Sequence, residues 1–269
     1  MDGLRADSLL LRRLALWGSR VGPDGWLRGA PAVCGWVFGA ALGEQRRHVR
    51  ENLRRLGVTS ERAVYRTFAE YAACLAESLA LSAGRAATVK LEVTGEARLR
   101  AALEAPTGVV VVTAHVGPWE AASSLLMRDH EAQVTLVMRR EPDRQAGAFH
   151  DALRARAGLQ VVHVGDDPLA ALSLRRALGP RRVVALQLDR AGWRSGRPQV
   201  SMGPFRLAAL TGAPLVSVLA ARRGLFDYEL QVGELQRPAR GDEERARVAV
   251  ERELWSWLQA HPTQWFDFL

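Results

Sequence analysis

A chain of 269 residues, 48% hydrophobic and 25% charged, can bury a large core, which excludes a disordered or collagen-like protein. A formal net charge of +8, carried by arginine with Lys90 as the only lysine, calls for an acidic partner such as an anionic lipid surface or an acidic carrier protein. Nucleic acid is a poor candidate without a helix-turn-helix signature or aromatic stacking platform, and Cys34 and Cys74, far apart and without ligand-spaced His or Cys, exclude a zinc site and fit a reducing compartment.

The first 25 residues place Leu10, Leu14, Trp17 and Val21 at helical spacing with Arg12, Arg13 and Arg20 between them, which predicts an amphipathic helix. An uncharged stretch from Gly29 to Gly43 follows. It is short of the roughly 20 residues that span a bilayer, and Pro31, Gly35 and Gly39 also argue against a simple spanning helix. The segment before it is too long for a signal peptide. Arg46, Arg50 and Arg54 then recur every four residues, joined by Arg47 and Arg55. An apolar segment followed by a basic helical face suits a protein lying in a membrane interface. We therefore expect residues 1–58 to form a helical membrane-associated arm and residues 59–269 an α/β domain.

Residues 60–82 read as a helix with Val64, Phe68, Tyr71, Leu75 and Leu79 on one stripe. Beyond residue 90, short apolar runs at 108–114, 134–138, 160–164, 182–188 and 214–220 alternate with helical patterns. That texture predicts a mixed, largely parallel central sheet flanked by helices. The run Val109–Val112 has no alternation, as expected of a strand covered on both faces. A last helix spans roughly 241–260.

The chemistry is concentrated in Val109–Glu120, VVVVTAHVGPWE. His115 falls just past the C-terminal end of a strand, where parallel sheets place their ligands. Gly117 permits a sharp turn and Pro118 suits a helix start, so Glu120 falls in the first turn, favoured by the helix dipole. A carboxylate that reaches back to the imidazole makes His115 a general base for a hydroxyl. No G-x-S-x-G elbow exists and neither cysteine is near, so the acceptor's own hydroxyl would attack an activated acyl group directly. The structural alternative is a histidine that ends a strand and a glutamate that decorates a helix. A second strand end, Val183–Leu188, leads to Asp189, Arg190 and the Gly-rich AGWRSGRP, a candidate substrate loop; Asp189 either binds an acceptor hydroxyl or caps the strand exit.

Several blocks in order resemble one family. HVRENLRRLG is similar to its basic N-terminal helix with an Asn-Leu pair, and LEVTGEARLRAALEAPTGVVVVTAHVGPWEAAS to its core around a His-x4-acid motif, here His115 and Glu120. VTLVMRREP resembles the next strand and its arginine, at Arg140; VVALQLDR a later strand ending in an acid, at Asp189. GPFRLAALTGAPLVSV carries the Thr-Gly-Ala-Pro strand entry at Thr211–Pro214, and HPTQWFDFL the closing Pro-x-Gln-Trp-Phe signature. From about residue 44 onward the chain resembles the lipid A biosynthesis (late) acyltransferases of the bacterial lysophospholipid acyltransferase superfamily. Two departures stand out: Pro118 where the family commonly has Asn, and an ending without the arginines typical of lipid A enzymes.

The resemblance implies a glycerolipid acyltransferase-like fold and acyl transfer from an acyl carrier protein or coenzyme A thioester to a lipid or glycolipid hydroxyl. It implies His115 as general base, Glu120 as the acid that orients it, and Arg140, Asp189 and Arg190 as substrate-binding positions, with a further arginine at Arg154 or Arg156. No metal or cofactor is implied. The arm would lie on the cytoplasmic face of the bacterial inner membrane. The acceptor is open among lipid A, other glycolipids such as an acylated mannoside, and ornithine-type or polyene lipids. A catalytically silent lipid-binding or scaffold member of the same fold is the alternative, and the intact His115–Glu120 pair speaks against it.

Overall fold

The computed structural model describes residues 9–85, 87–120, 130–141, 143–165, 170–189, 192–194 and 197–268. Four helices come first: α1 (Leu9–Val21), α2 (Asp24–Ala41), α3 (Gly43–Arg55) and α4 (Glu61–Ser82). The uncharged stretch forms most of α2, within the helical segment expected, and its small residues set how it packs. Gly35 and Gly39 are buried where α2 lies along α4, and a Cβ on Gly35 would stand 2.5 Å from the Phe68 carbonyl and the Ala69 backbone. The glycines thus accept a helix cost of about 1 kcal/mol each in exchange for close packing. Among the described residues no helix is long and apolar enough to cross a membrane.

Arg85 ties the α1–α2 turn down, donating to the carbonyls of Ser19 and Gly22 and to Asp24. The helical layer is bolted to the sheet by a buried charge cluster. Glu77 of α4, with 1% of its side chain exposed, accepts from Arg222 Nε and the Tyr228 hydroxyl, each at 2.7 Å, and from the Phe226 amide. Burial pushes the Glu77 carboxyl above its ordinary value, and the Arg222 charge opposes that rise. Removing one partner of such a pair costs about 3–5 kcal/mol, because the other charge is left buried.

The sheet contains seven strands in the order β1-β9-β8-β2-β5-β3-β4: β1 (Lys90–Thr94), β2 (Val109–Thr113), β3 (Gln133–Arg139), β4 (Gln160–Val164), β5 (Arg182–Gln187), β8 (Leu215–Gly224) and β9 (Asp227–Val232). Two short strands, β6 (Trp193–Arg194) and β7 (Arg197–Pro198), form a separate hairpin. β2 is central, and β2, β3, β4, β5 and β8 are parallel. Val109 to Val112 are buried on both faces. Val110 and Val112 join Phe205, Leu254 and Trp257 on one side, and Val109 and Val111 join Leu99 and Leu103 on the other. Each buried valine contributes about 1.5–3 kcal/mol of hydrophobic stabilisation.

All five apolar runs of the sequence are strands of this parallel core. β1 and β9 add a mixed edge, with β9 antiparallel to β8. Their alternating sequences, KLEVT and DYELQV, are half-exposed, so they lack the continuous apolar signature. Parallel strands end together, and one sheet edge therefore carries His115, Asp189 and Arg140.

Candidate active site

His115 stands two residues beyond β2, on a loop pinned from three directions. Its backbone amide donates to Asp189 Oδ2 at 3.0 Å, and its carbonyl accepts from the Phe266 amide at 2.7 Å. Val116 pairs with Trp265, and the Gly117 amide donates to the Gln264 carbonyl at 2.9 Å. Gly117 has φ +47°, and a Cβ there would meet the Ala220 carbonyl at 2.1 Å, so this turn admits only glycine. Helical backbone begins at Trp119, placing Glu120 in a first turn as expected.

The imidazole is held from behind by Asp189, just past the end of β5. Nδ1 lies 2.8 Å from Asp189 Oδ1, and the indole N–H of Trp265 donates to Oδ2 at 2.8 Å. Burial alone would raise this carboxyl, whose side chain has no exposed surface. The His115 charge and the hydrogen bonds from His115 and Trp265 outweigh that and hold it below its ordinary value. An ionised carboxylate only accepts, so Nδ1 carries the proton and Nε2 the lone pair. The ring is 18% exposed and the described residues offer Nε2 no hydrogen bond. The arrangement is that of a general base with a fixed tautomer and an open basic nitrogen.

Glu120 is engaged by Arg154 on α6 (Arg144–Arg156), the helix described after α5 (Glu96–Leu103). Nε and Nη2 of Arg154 both donate to Glu120 Oε1, at 3.1 and 2.6 Å. Arg154 is itself buried and lies 3.5 Å from Asp151, whose other oxygen meets His163 Nε2 at 2.7 Å. The described geometry thus gives Nδ1 of His115 to Asp189 and gives Glu120 to Arg154. Asp189, expected among the substrate contacts, stands behind the His115 ring, and three donors among the described residues already occupy its two oxygens. Arg140 is exposed just past β3, on the same sheet edge and without a described partner. Arg190 lies outside the described residues.

Several contributors stood in the sequence only as parts of motifs. Asn52, from the Asn-Leu pair, is buried and donates to the carbonyl and carboxylate of Asp267. Gln264 locks onto the Arg222 backbone in both directions, accepting its N–H at 2.7 Å and donating to its carbonyl at 2.8 Å. Trp265 reaches Asp189. The segment 261–268 is therefore a strap across the sheet edge. Its aromatic rings continue the packing: Phe266 and Phe268 meet Tyr71, and Trp265 lies 5.5 Å from Trp193, whose ring carries the Arg55 guanidinium 4.4 Å from its centroid. For Gln264 and Trp265, next to Phe266 and Phe268, the clue was chemical. A polar or indole side chain kept within an apolar stretch needs a buried partner.

No curated protein matches the chain. A family model, described as bacterial lipid A biosynthesis acyltransferase, matches residues 8–269.

Proposed function

Because the chain belongs to the bacterial lipid A biosynthesis acyltransferase family, and is thereby an enzyme that moves an acyl group onto a lipid, we propose that His115 is the general base of that transfer. The carrying observation is the contact of Nδ1 with a buried, ionised Asp189, which leaves Nε2 basic and open. Nε2 takes the proton of the acceptor hydroxyl as its oxygen attacks the carbonyl carbon of an acyl thioester. The tetrahedral intermediate then collapses, the C–S bond breaks, and the imidazolium returns its proton to the leaving sulfur. An ester and a free thiol result, and the base is regenerated. Asp189 orients the ring and stabilises the imidazolium. Glu120, anchored by Arg154, fixes the helix start that follows the base and adds a second carboxylate to the motif.

The thioester donor in this reading is an acyl carrier protein or coenzyme A, and Arg140 is available to its anionic groups. Residues 1–58 act as the arm that meets the membrane, and residues 59–269 as the catalytic domain. Leu14, Trp17 and Val21 of α1 and Trp26, Val33, Trp36 and Val37 of α2 are exposed, with Arg13, Arg20 and Arg28 exposed among them. Apolar side chains rimmed by arginine suit the interface of an anionic leaflet, here the cytoplasmic face of the inner membrane.

Mass spectrometry of lipid extracts tests the reading, comparing cells with the protein, without it and with His115→Ala. A lipid heavier by one acyl chain, absent from the other two, identifies acceptor and chain length together. Identical lipid profiles in all three would overturn it.

A further inference from the structure

A carboxylate removed from water stays charged only where donors replace the lost solvent. Asp189 has three. Two belong to His115, its ring and its amide; the third is the indole N–H of Trp265. That N–H is the only polar group on the Trp265 side chain, which is otherwise buried in apolar packing. A phenylalanine would supply most of the packing. What tryptophan adds is one donor, aimed at one oxygen.

We propose that Trp265 is a positioning residue for the acyl transfer: its indole N–H holds Oδ2 of Asp189, fixing the carboxylate plane and leaving Oδ1 to the His115 ring. This rests on His115 being the base and extends the arrangement one residue further back. The backbone keeps the indole in place. Gln264 on one side is locked to Arg222, and Phe266 on the other donates to the His115 carbonyl. The same short segment therefore sets the base by its main chain and the base's partner by a side chain.

The charged groups around this centre are few among the described residues. His115 and Asp189 face each other. Arg55 stands behind Trp193, and Arg222, paired with Glu77 and Glu70, is one residue removed through Gln264. Glu120 and Arg154 close the other end of the loop. Without the indole donor, Oδ2 keeps only the His115 amide. Its charge is less neutralised and more available to the imidazolium, so the ring holds its proton to higher pH while its alignment loosens.

The test is Trp265→Phe in the full chain, with kcat/KM measured against pH and the His115 ring titrated by 15N-resolved NMR. We expect kcat to fall roughly 10-fold, KM to stay within about twofold, and the ring titration and the acidic limb to move up together. Phe268→Leu, a packing control against Phe68 and Tyr71, should lower the melting temperature and leave the limb in place. An unmoved or lowered His115 titration in Trp265→Phe overturns the proposal. Should that variant fail to fold, the wild-type indole N–H resonances decide. One of the eight should follow the His115 titration and cease to do so in His115→Ala; indifference of all eight overturns the proposal. Absence of acyl transfer by the wild-type enzyme would strike the proposed function instead, and the ring titration would still read on Trp265.

Discussion

The amide of Phe266 donates to the carbonyl of His115 at 2.7 Å. The loop bearing His115 is thus held by a segment far along the chain, and the ring it carries is held by Asp189, just past the end of a neighbouring strand. Perturbing either hold should change turnover before it changes the fold.

Asp189→Asn keeps the shape of the side chain and removes its charge. The imidazolium loses its counter-charge, and an amide nitrogen facing Nδ1 would favour the wrong tautomer. We expect kcat to drop by about 10²–10⁴ with KM little changed. His115→Ala and Glu120→Ala should each abolish transfer while circular dichroism stays native. Near-wild-type turnover by either would remove that residue from the mechanism.

Gly117→Ala tests the turn. The backbone there has φ +47° and the new methyl would press on the Ala220 carbonyl. The loop must move, so activity should be lost and stability should fall by roughly 2 kcal/mol or more. Denaturant titration and a turnover assay on the same preparation would measure both. Turnover that survives intact would mean the turn is not needed for the base.

The N-terminal helix has an acid-sensitive clasp. Arg12 of α1 donates to Glu141 at 3.0 Å, and His150 of α6 meets the other Glu141 oxygen at 2.7 Å. The His150 hydrogen bond, with the charges of His150 and Arg12, holds the Glu141 carboxyl down to about 2 from its ordinary 4.5. A depressed carboxylate contributes stability above its unfolded value and loses it as pH falls through the folded one. Cleavage of α1 by pepsin should therefore accelerate between about pH 4.5 and 2 beyond the change in a Glu141→Gln control, which has no charge to lose. At neutral pH the control should be cut in α1 by trypsin faster than wild type. Equal rates for both proteins throughout would show that the clasp does not hold α1.

The exposed faces of α1 and α2 predict how the protein meets a bilayer. Wild type should float with vesicles containing anionic lipid, and added salt should weaken but not abolish this, since salt screens arginine and leaves apolar burial intact. Trp17→Ser combined with Val37→Asp should cut the floated fraction several-fold without lowering the melting temperature, both side chains being exposed. Unchanged flotation by the double variant would place the contact elsewhere.

Much of this molecule is legible in its sequence because burial on both faces writes a continuous apolar run. The four valines of β2 mark the central strand, and the histidine after them falls where parallel strands place their ligands. The partner of that histidine is harder to read. Glu120 is five residues away and Asp189 lies just past β5, and only the strand order, which puts β5 beside β2, brings Asp189 to the ring. Strand order depends on how helices pack over the sheet, and no local pattern records it. Arg154 and Trp265 were obscure for the same reason: each meets its partner across an element boundary. The glycines of α2 argued against a spanning helix, and no described helix is long and apolar enough to span; what the sequence left unread is that they seat α2 on α4.

The strap also has a consequence for how the enzyme comes into being. A ribosome adding about 5–20 residues per second needs on the order of ten seconds to pass from the His115 codon to that of Phe266. Throughout that interval the nascent chain already displays its basic, apolar arm, yet its base has neither the Phe266 amide at its carbonyl nor the Trp265 indole behind its carboxylate. If residues 1–58 are the membrane arm proposed above, membrane contact can precede catalytic competence, and a chain interrupted before the strap would meet the bilayer without transferring an acyl group.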